Sequence, residues 1–83
     1  MLTEFIKKAL AHAHYELIQD SEPFYGEVKE LPGVWSTGLT LEECREKLER
    51  AIEDWLLFSL AKGYDIPMLD GIKIEPPREI LAS

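Results

Sequence analysis

Between Thr40 and Gly63 one apolar stripe runs without interruption through Leu41, Cys44, Leu48, Ile52, Trp55, Leu56, Ser59 and Leu60, spaced by three and four. An α-helix is the structure that brings such positions onto one side. Thr40 is a good N-cap. With Glu43 at the third helical position, Thr40-Leu41-Glu42-Glu43 reads as a capping box, with extra negative charge on the positive end of the helix dipole. Gly63 supplies a left-handed C-cap, and Lys62 lies in the last turn. The outer face pairs Glu43 with Lys47 and Glu46 with Arg50 in the favourable order. Leu57 and Phe58 widen the stripe beyond what one sheet face needs, which points to a contact with another chain.

What remains of the chain must cover this helix. Leu2, Phe5, Ile6, Ala9, Leu10 and Ala13 form a second stripe, with Glu4, Lys7 and Lys8 outside it. The spacing predicts an N-terminal helix over 2–14, with Thr3 a candidate cap. From Tyr15 the period falls to two. Tyr15, Leu17 and Gln19 face one way and Glu16, Ile18 and Asp20 the other, as in a strand. Ser21-Glu22-Pro23 makes a turn. Phe24 to about Glu30 then sets Phe24, Gly26 and Val28 against Tyr25, Glu27 and Lys29, so an antiparallel hairpin is expected. Leu31-Pro32-Gly33 breaks that strand, and Val34-Trp35-Ser36-Thr37 completes a three-strand meander. Beyond Gly63 the run Tyr64 to Gly71, which includes Pro67, is a connection. Ile72-Lys73-Ile74 is a brief strand ended by Pro76-Pro77.

These elements give an α+β order, α-β-β-β-α-β, with a three-stranded antiparallel meander packed against helices. A chain of 83 residues makes one domain over 1–83: the N-terminal helix 2–14, a core 15–67, and a short strand and tail 68–83. So short a chain buries roughly 60–65% of its unfolded surface, and self-association would add to its stability. A formal net charge of −7 argues against direct DNA binding and suits a basic partner. The single cysteine, Cys44, excludes an intramolecular disulfide and reads as core packing. No signal-peptide pattern opens the chain and no apolar run approaches ~18 residues, so no membrane association is expected and the cytoplasm is the expected location.

Several residues serve turns and caps: Pro32, Gly33, Gly38, Thr40, Glu43, Gly63 and Pro67. Gly33 and Gly38 bracket the third strand, where positive φ or close backbone approach suits glycine. Trp35 lies on a strand of only four residues, so its ring either caps the sheet within the core or projects outward to an interface. Tyr25 projects opposite Phe24 and Val28, beside Glu27 and Lys29. If helices cover one face of the sheet, Tyr25 lies on the other, where a partner can dock. Tyr25, Trp35, Glu27, Leu57 and Phe58 are therefore the partner-binding candidates.

Chemistry is harder to find. His12 and His14 diverge by about 200° on a helix and cannot clamp one metal there; on an extended chain they share a face but lack further ligands. Asp20, Glu22, Glu27 and Glu30 sit at turns and strand ends, where solvation accounts for them. Cys44 lies on the inner face of a helix, and no glycine-rich phosphate loop is present. The expectation is a chain without catalytic, metal or cofactor residues.

The succession Tyr15-Glu16-Leu17-Ile18, Phe24-Tyr25-Gly26-Glu27-Val28, Leu31-Pro32-Gly33-Val34-Trp35, Gly38-x-Thr40-Leu41-Glu42-Glu43 and Gly63-Tyr64-Asp65-Ile66-Pro67 resembles the HicB antitoxin family. The match runs over roughly residues 15–67, and its specificity lies in the combination rather than in any one piece. Two departures are a helix ahead of the first strand and the lack of a recognisable C-terminal DNA-reading segment. The resemblance implies a truncated ribonuclease-H-like fold, an oligomer, and neutralisation of a small basic ribonuclease toxin; operator binding is not carried over. Competing readings are a stand-alone homo-oligomeric scaffold and a residual metal-dependent nuclease. Exposed sheet edges, or the surplus apolar face of the long helix, would join copies into a homodimer or a dimer of dimers.

Overall fold

In the computed structural model, which describes residues 2–71, the element order is α1 (Leu2–Ala11), β1 (His14–Leu17), β2 (Phe24–Glu27), β3 (Trp35–Gly38) and α2 (Leu41–Lys62). The three strands form one antiparallel meander in the order β1-β2-β3. This is the expected α+β arrangement. The final strand expected at Ile72–Ile74, and the tail after it, lie outside the described residues.

Boundaries shift for local reasons. The first helix stops at Ala11 rather than at 14 because its last turn tightens: His12 N–H is shared between the Lys8 and Ala9 carbonyls at 3.1 Å each, and Ala13 N–H reaches Leu10 O at 3.1 Å. His14 is already a strand residue, paired with Glu27. Strand β1 ends at Leu17, and the link to β2 is a six-residue loop, 18–23, in place of the three-residue turn expected. Ile18 N–H donates to Pro23 O across its base at 2.8 Å, and Asp20 Oδ2 accepts from Glu22 N–H at 3.2 Å. Strand β2 ends at Glu27 instead of Glu30, because the chain turns at once: Leu31 N–H donates to Val28 O and Val34 N–H to Leu31 O, each at 3.0 Å. Gly33 sits in that turn at φ 87°, a conformation that costs a non-glycine residue strain.

Both caps of α2 form. Thr40 is extended at φ −132° and its hydroxyl accepts from Glu43 N–H at 3.0 Å. Glu43 Oε1 reaches back to Leu39 N–H at 2.8 Å, one residue earlier than in a standard capping box. At the other end Gly63 adopts φ 72°; its N–H donates to Leu60 O and that of Tyr64 to Ser59 O.

Helix α2 lies across β3 and β2, and α1 packs against α2. The core gathers Phe5, Ala9, Val28, Leu31, Val34, Leu48, Ile52, Leu56 and Leu69. Fully buried side chains of this kind each stabilise a fold by about 1.5–3 kcal/mol over their exposed state. Leu41, read as part of the α2 stripe, is the first helical residue and is 47% exposed. Among the described residues no helix is long and apolar enough to cross a membrane.

Candidate functional site

The pleat of β3 sends Ser36 and Gly38 toward α2, and Trp35 and Thr37 to the other side. On β2, Gly26 points to the helix and Tyr25 and Glu27 point away. Where α2 crosses β3 and the neighbouring Gly26, the covered side is built of small residues because the helix arrives almost backbone to backbone. A Cβ on Gly38 would stand 2.5 Å from Cys44 N, 2.9 Å from Cys44 Cα and 3.0 Å from Thr40 O. Ser36 Oγ donates to Cys44 O at 2.8 Å. The Cys44 thiol is fully buried in this seam, 3.4 Å from Ser36 Oγ, and is out of reach as a nucleophile.

On β3 and the neighbouring part of β2, the uncovered side holds the large residues. Tyr25 and Trp35 stack with ring centroids 6.2 Å apart and an interplanar angle of 23°. Tyr25 OH donates to Glu27 Oε1 at 3.0 Å. Desolvation first, then this hydrogen bond and the charges of Glu27 and Glu16, push the Tyr25 phenol above its ordinary pKa. Glu16 lies across from Tyr25, and Glu27 lies between His14 and Trp35 in the ladder. The result is an aromatic pair flanked by two carboxylates. Trp35 is 57% exposed, which decides between the two readings of its ring: it projects outward. Leaving most of an indole in water forgoes about 2–3 kcal/mol of burial, so the residue is not there for this chain's own core.

At the rim, Thr37 Oγ1 donates to Glu22 Oε1 at 2.6 Å, and Lys47 Nζ lies 3.4 Å from both Glu22 oxygens and 3.7 Å from Glu43 Oε1. The Thr37 hydroxyl above all, and Lys47 after it, hold the Glu22 carboxyl below its ordinary pKa. This network ties the 18–23 loop to both β3 and α2.

The other two partner-binding candidates do not join this face. Leu57 and Phe58 are half exposed on α2, which packs on the opposite side of the sheet. Phe58 meets Tyr64 edge-on with centroids 5.9 Å apart, and Lys62 Nζ lies 5.8 Å from the Phe58 centroid. The five candidates thus make two surfaces. Pro32 and Pro67 are exposed in their connections. Among the described residues no group of three or more histidine, cysteine or acidic side chains is placed to hold a metal ion. His12 and His14 also part company: His14 goes to the open face, while His12 Nδ1 lies 3.2 Å from Glu30 Oε2 and His12 Nε2 lies 3.1 Å from Asp70 Oδ1. Sequence reading missed that bridge, because partners 18 and 58 residues away leave no periodic trace.

Comparison with known proteins adds two findings. A family model described as UPF0150-like matches residues 4–67, a span that includes most of α1, so the helix read as an addition falls within the match. The crystal structure of TTHA0281 from Thermus thermophilus is 53% identical in sequence, covers 92% of this chain and 94% of that chain, and superposes with a TM-score of 0.86. No curated protein matches.

Proposed function

From the premise that this chain belongs to the UPF0150-like family, which is related to HicB-like antitoxins, we propose that it is a non-catalytic binding protein of the antitoxin type. It neutralises a small basic ribonuclease by docking it on the open face of the sheet. One observation carries this reading: the stack of half-buried Tyr25 on exposed Trp35, flanked by Glu16 and Glu27, on the side that α2 leaves uncovered. Aromatic side chains of this sort supply the lifetime of a complex, and tryptophan and tyrosine are enriched among the residues that dominate binding. The carboxylates and the net charge of −7 speed and orient the encounter with a cationic partner.

The test begins with affinity capture from the native cell at low salt, followed by an RNA-cleavage assay on the captured small basic protein. The expected result is cleavage by the isolated partner that stops when this chain is added and persists when Trp35→Ala is added instead. Failure to capture a small basic protein, or capture of one whose RNA cleavage this chain leaves untouched, overturns the proposal.

The exposed Leu57 and Phe58 favour a second element of the same reading, self-association into a homodimer or a dimer of dimers. Sedimentation at micromolar concentration is expected to give at least twice the 9.5 kDa of one chain. A monomer mass there refutes it.

A further inference from the structure

We propose that His12 is a protonation-controlled latch that fastens the segment following α2 onto the end of α1 and the β2–β3 loop. The geometry asks for the charged ring. His12 presents Nδ1 to Glu30 Oε2 at 3.2 Å and Nε2 to Asp70 Oδ1 at 3.1 Å, so both ring nitrogens face carboxylate oxygens. A neutral imidazole carries one N–H and can satisfy only one of them; its other nitrogen would set a lone pair against an oxygen that cannot donate. Imidazolium donates to both.

The three residues come from three places: the end of α1, the loop between β2 and β3, and the segment after Gly63. Apart from this bridge, that segment is held by the Tyr64–Phe58 ring contact, by Ile66 packed against the core and by Leu69 within it. Tyr64, Asp65, Pro67 and Met68 are exposed, and Leu69 is its one buried residue among those described. Asp70, next to Leu69, adopts φ 49°, the left-handed region that aspartate tolerates better than most residues but still at some strain. The chain turns there in a way that delivers the Asp70 carboxylate to the ring.

Among the described residues, the charges that act on His12 are those of Asp70 and Glu30. The Asp70 hydrogen bond first, then both carboxylate charges, raise its pKa from 6.5 against a smaller opposing effect of desolvation. The sign follows. A folded value above the unfolded one means that the latch contributes its full stabilisation below pH 6.5 and loses it as pH rises through the folded value. The His12 side chain is 31% exposed and its two carboxylate partners are open to solvent, so the bridge is a modest one and its opening loosens the segment without unfolding the domain.

The experiment is an NMR titration of the intact chain, following the His12 ring together with the Leu69 and Gly71 amides. The latch predicts that these amides shift with the same midpoint as the His12 ring and that their protection from exchange falls on the alkaline side of it. Asp70→Asn keeps the left-handed residue and removes the charge; it is expected to move the His12 midpoint down. His12→Gln is expected to abolish the coupled amide shifts and leave the segment poorly protected at every pH. Unchanged protection at the Leu48 and Ile52 amides shows that each variant keeps its fold. Leu69 and Gly71 amides that ignore the His12 titration, or that keep the same step in His12→Gln, overturn the proposal.

Discussion

The two faces of β3 invert the usual distribution of side chains. Beneath α2 stand Ser36 and Gly38, with Gly26 beside them on β2; on the open side stand exposed Trp35 and half-buried Tyr25. Apolar burial alone would place the aromatic rings inward. They cannot go there, because α2 sits too close: its Cys44 backbone occupies the space that a side chain at position 38 would need. The covered face is therefore optimised for close approach, and its stability comes from backbone proximity and the Ser36–Cys44 hydrogen bond. The open face is optimised for something else. Substitutions should accordingly separate stability from binding, and do so by face.

The harshest test is Gly38→Ala. The added Cβ meets backbone atoms at 2.5 Å and 2.9 Å, which no rotamer change can relieve. Denaturant unfolding is expected to show a loss of about 3 kcal/mol, near the upper end of the range for overpacking. A loss below about 1 kcal/mol would mean that α2 slides freely over the sheet, and the contrast between the faces would fail.

Trp35→Ala addresses the other face. Stability should fall by less than about 1 kcal/mol, since only the Tyr25 stack is lost. Affinity for the basic partner should fall by about 2 kcal/mol, roughly 30-fold in Kd by titration calorimetry. The reverse pattern, a destabilised fold with intact binding, would show the ring to be structural.

Gly26→Ala sharpens the comparison within the covered face. Its Cβ would meet the Tyr15 ring at 2.8 and 2.9 Å and Cys44 Sγ at 3.2 Å, all side-chain atoms. Tyr15 is a side chain that can swing where a helix backbone cannot. The expected cost is about 1–2 kcal/mol, below that at Gly38. Equal costs at both glycines would assign the tightness to the whole seam and not to the α2 backbone.

The sequence made part of this legible. The stripe from Cys44 to Ser59, its Thr40 and Gly63 caps and the alternation of β2 are local signals, and each appears where its spacing puts it. So does the separation of Tyr25 from Phe24. Boundaries went astray where hydrogen bonds outside the ladder decide them: the shared donor at His12 ends α1 early, and the Val28–Leu31–Val34 turn shortens β2. The side on which Trp35 lies depended on the approach of α2, a contact with no period in sequence. The His12 bridge depended on two loops meeting. Tertiary proximity, rather than any unread motif, separates these from what was readable.

The smallest effect lies at the rim, where the two faces touch. Thr37 belongs to the open side of β3, yet its hydroxyl donates to Glu22, which Lys47 of α2 also holds. Because the folded Glu22 pKa is lowered from 4.5, the contact contributes above the ordinary value and is lost as pH falls from 4.5 through the lowered one. Thr37→Val keeps the strand preference and removes the largest cause. The Glu22 carboxyl, followed by NMR, should titrate closer to its ordinary value, and the drop in unfolding midpoint between neutral and acidic solution should shrink. Added salt should weaken what remains, since the Lys47–Glu22 ion pair is only half-buried. An unchanged Glu22 titration would assign the shift to Lys47 instead. The rim would then belong wholly to the covered side, and the boundary between a face built for stability and a face built for binding would run through Thr37.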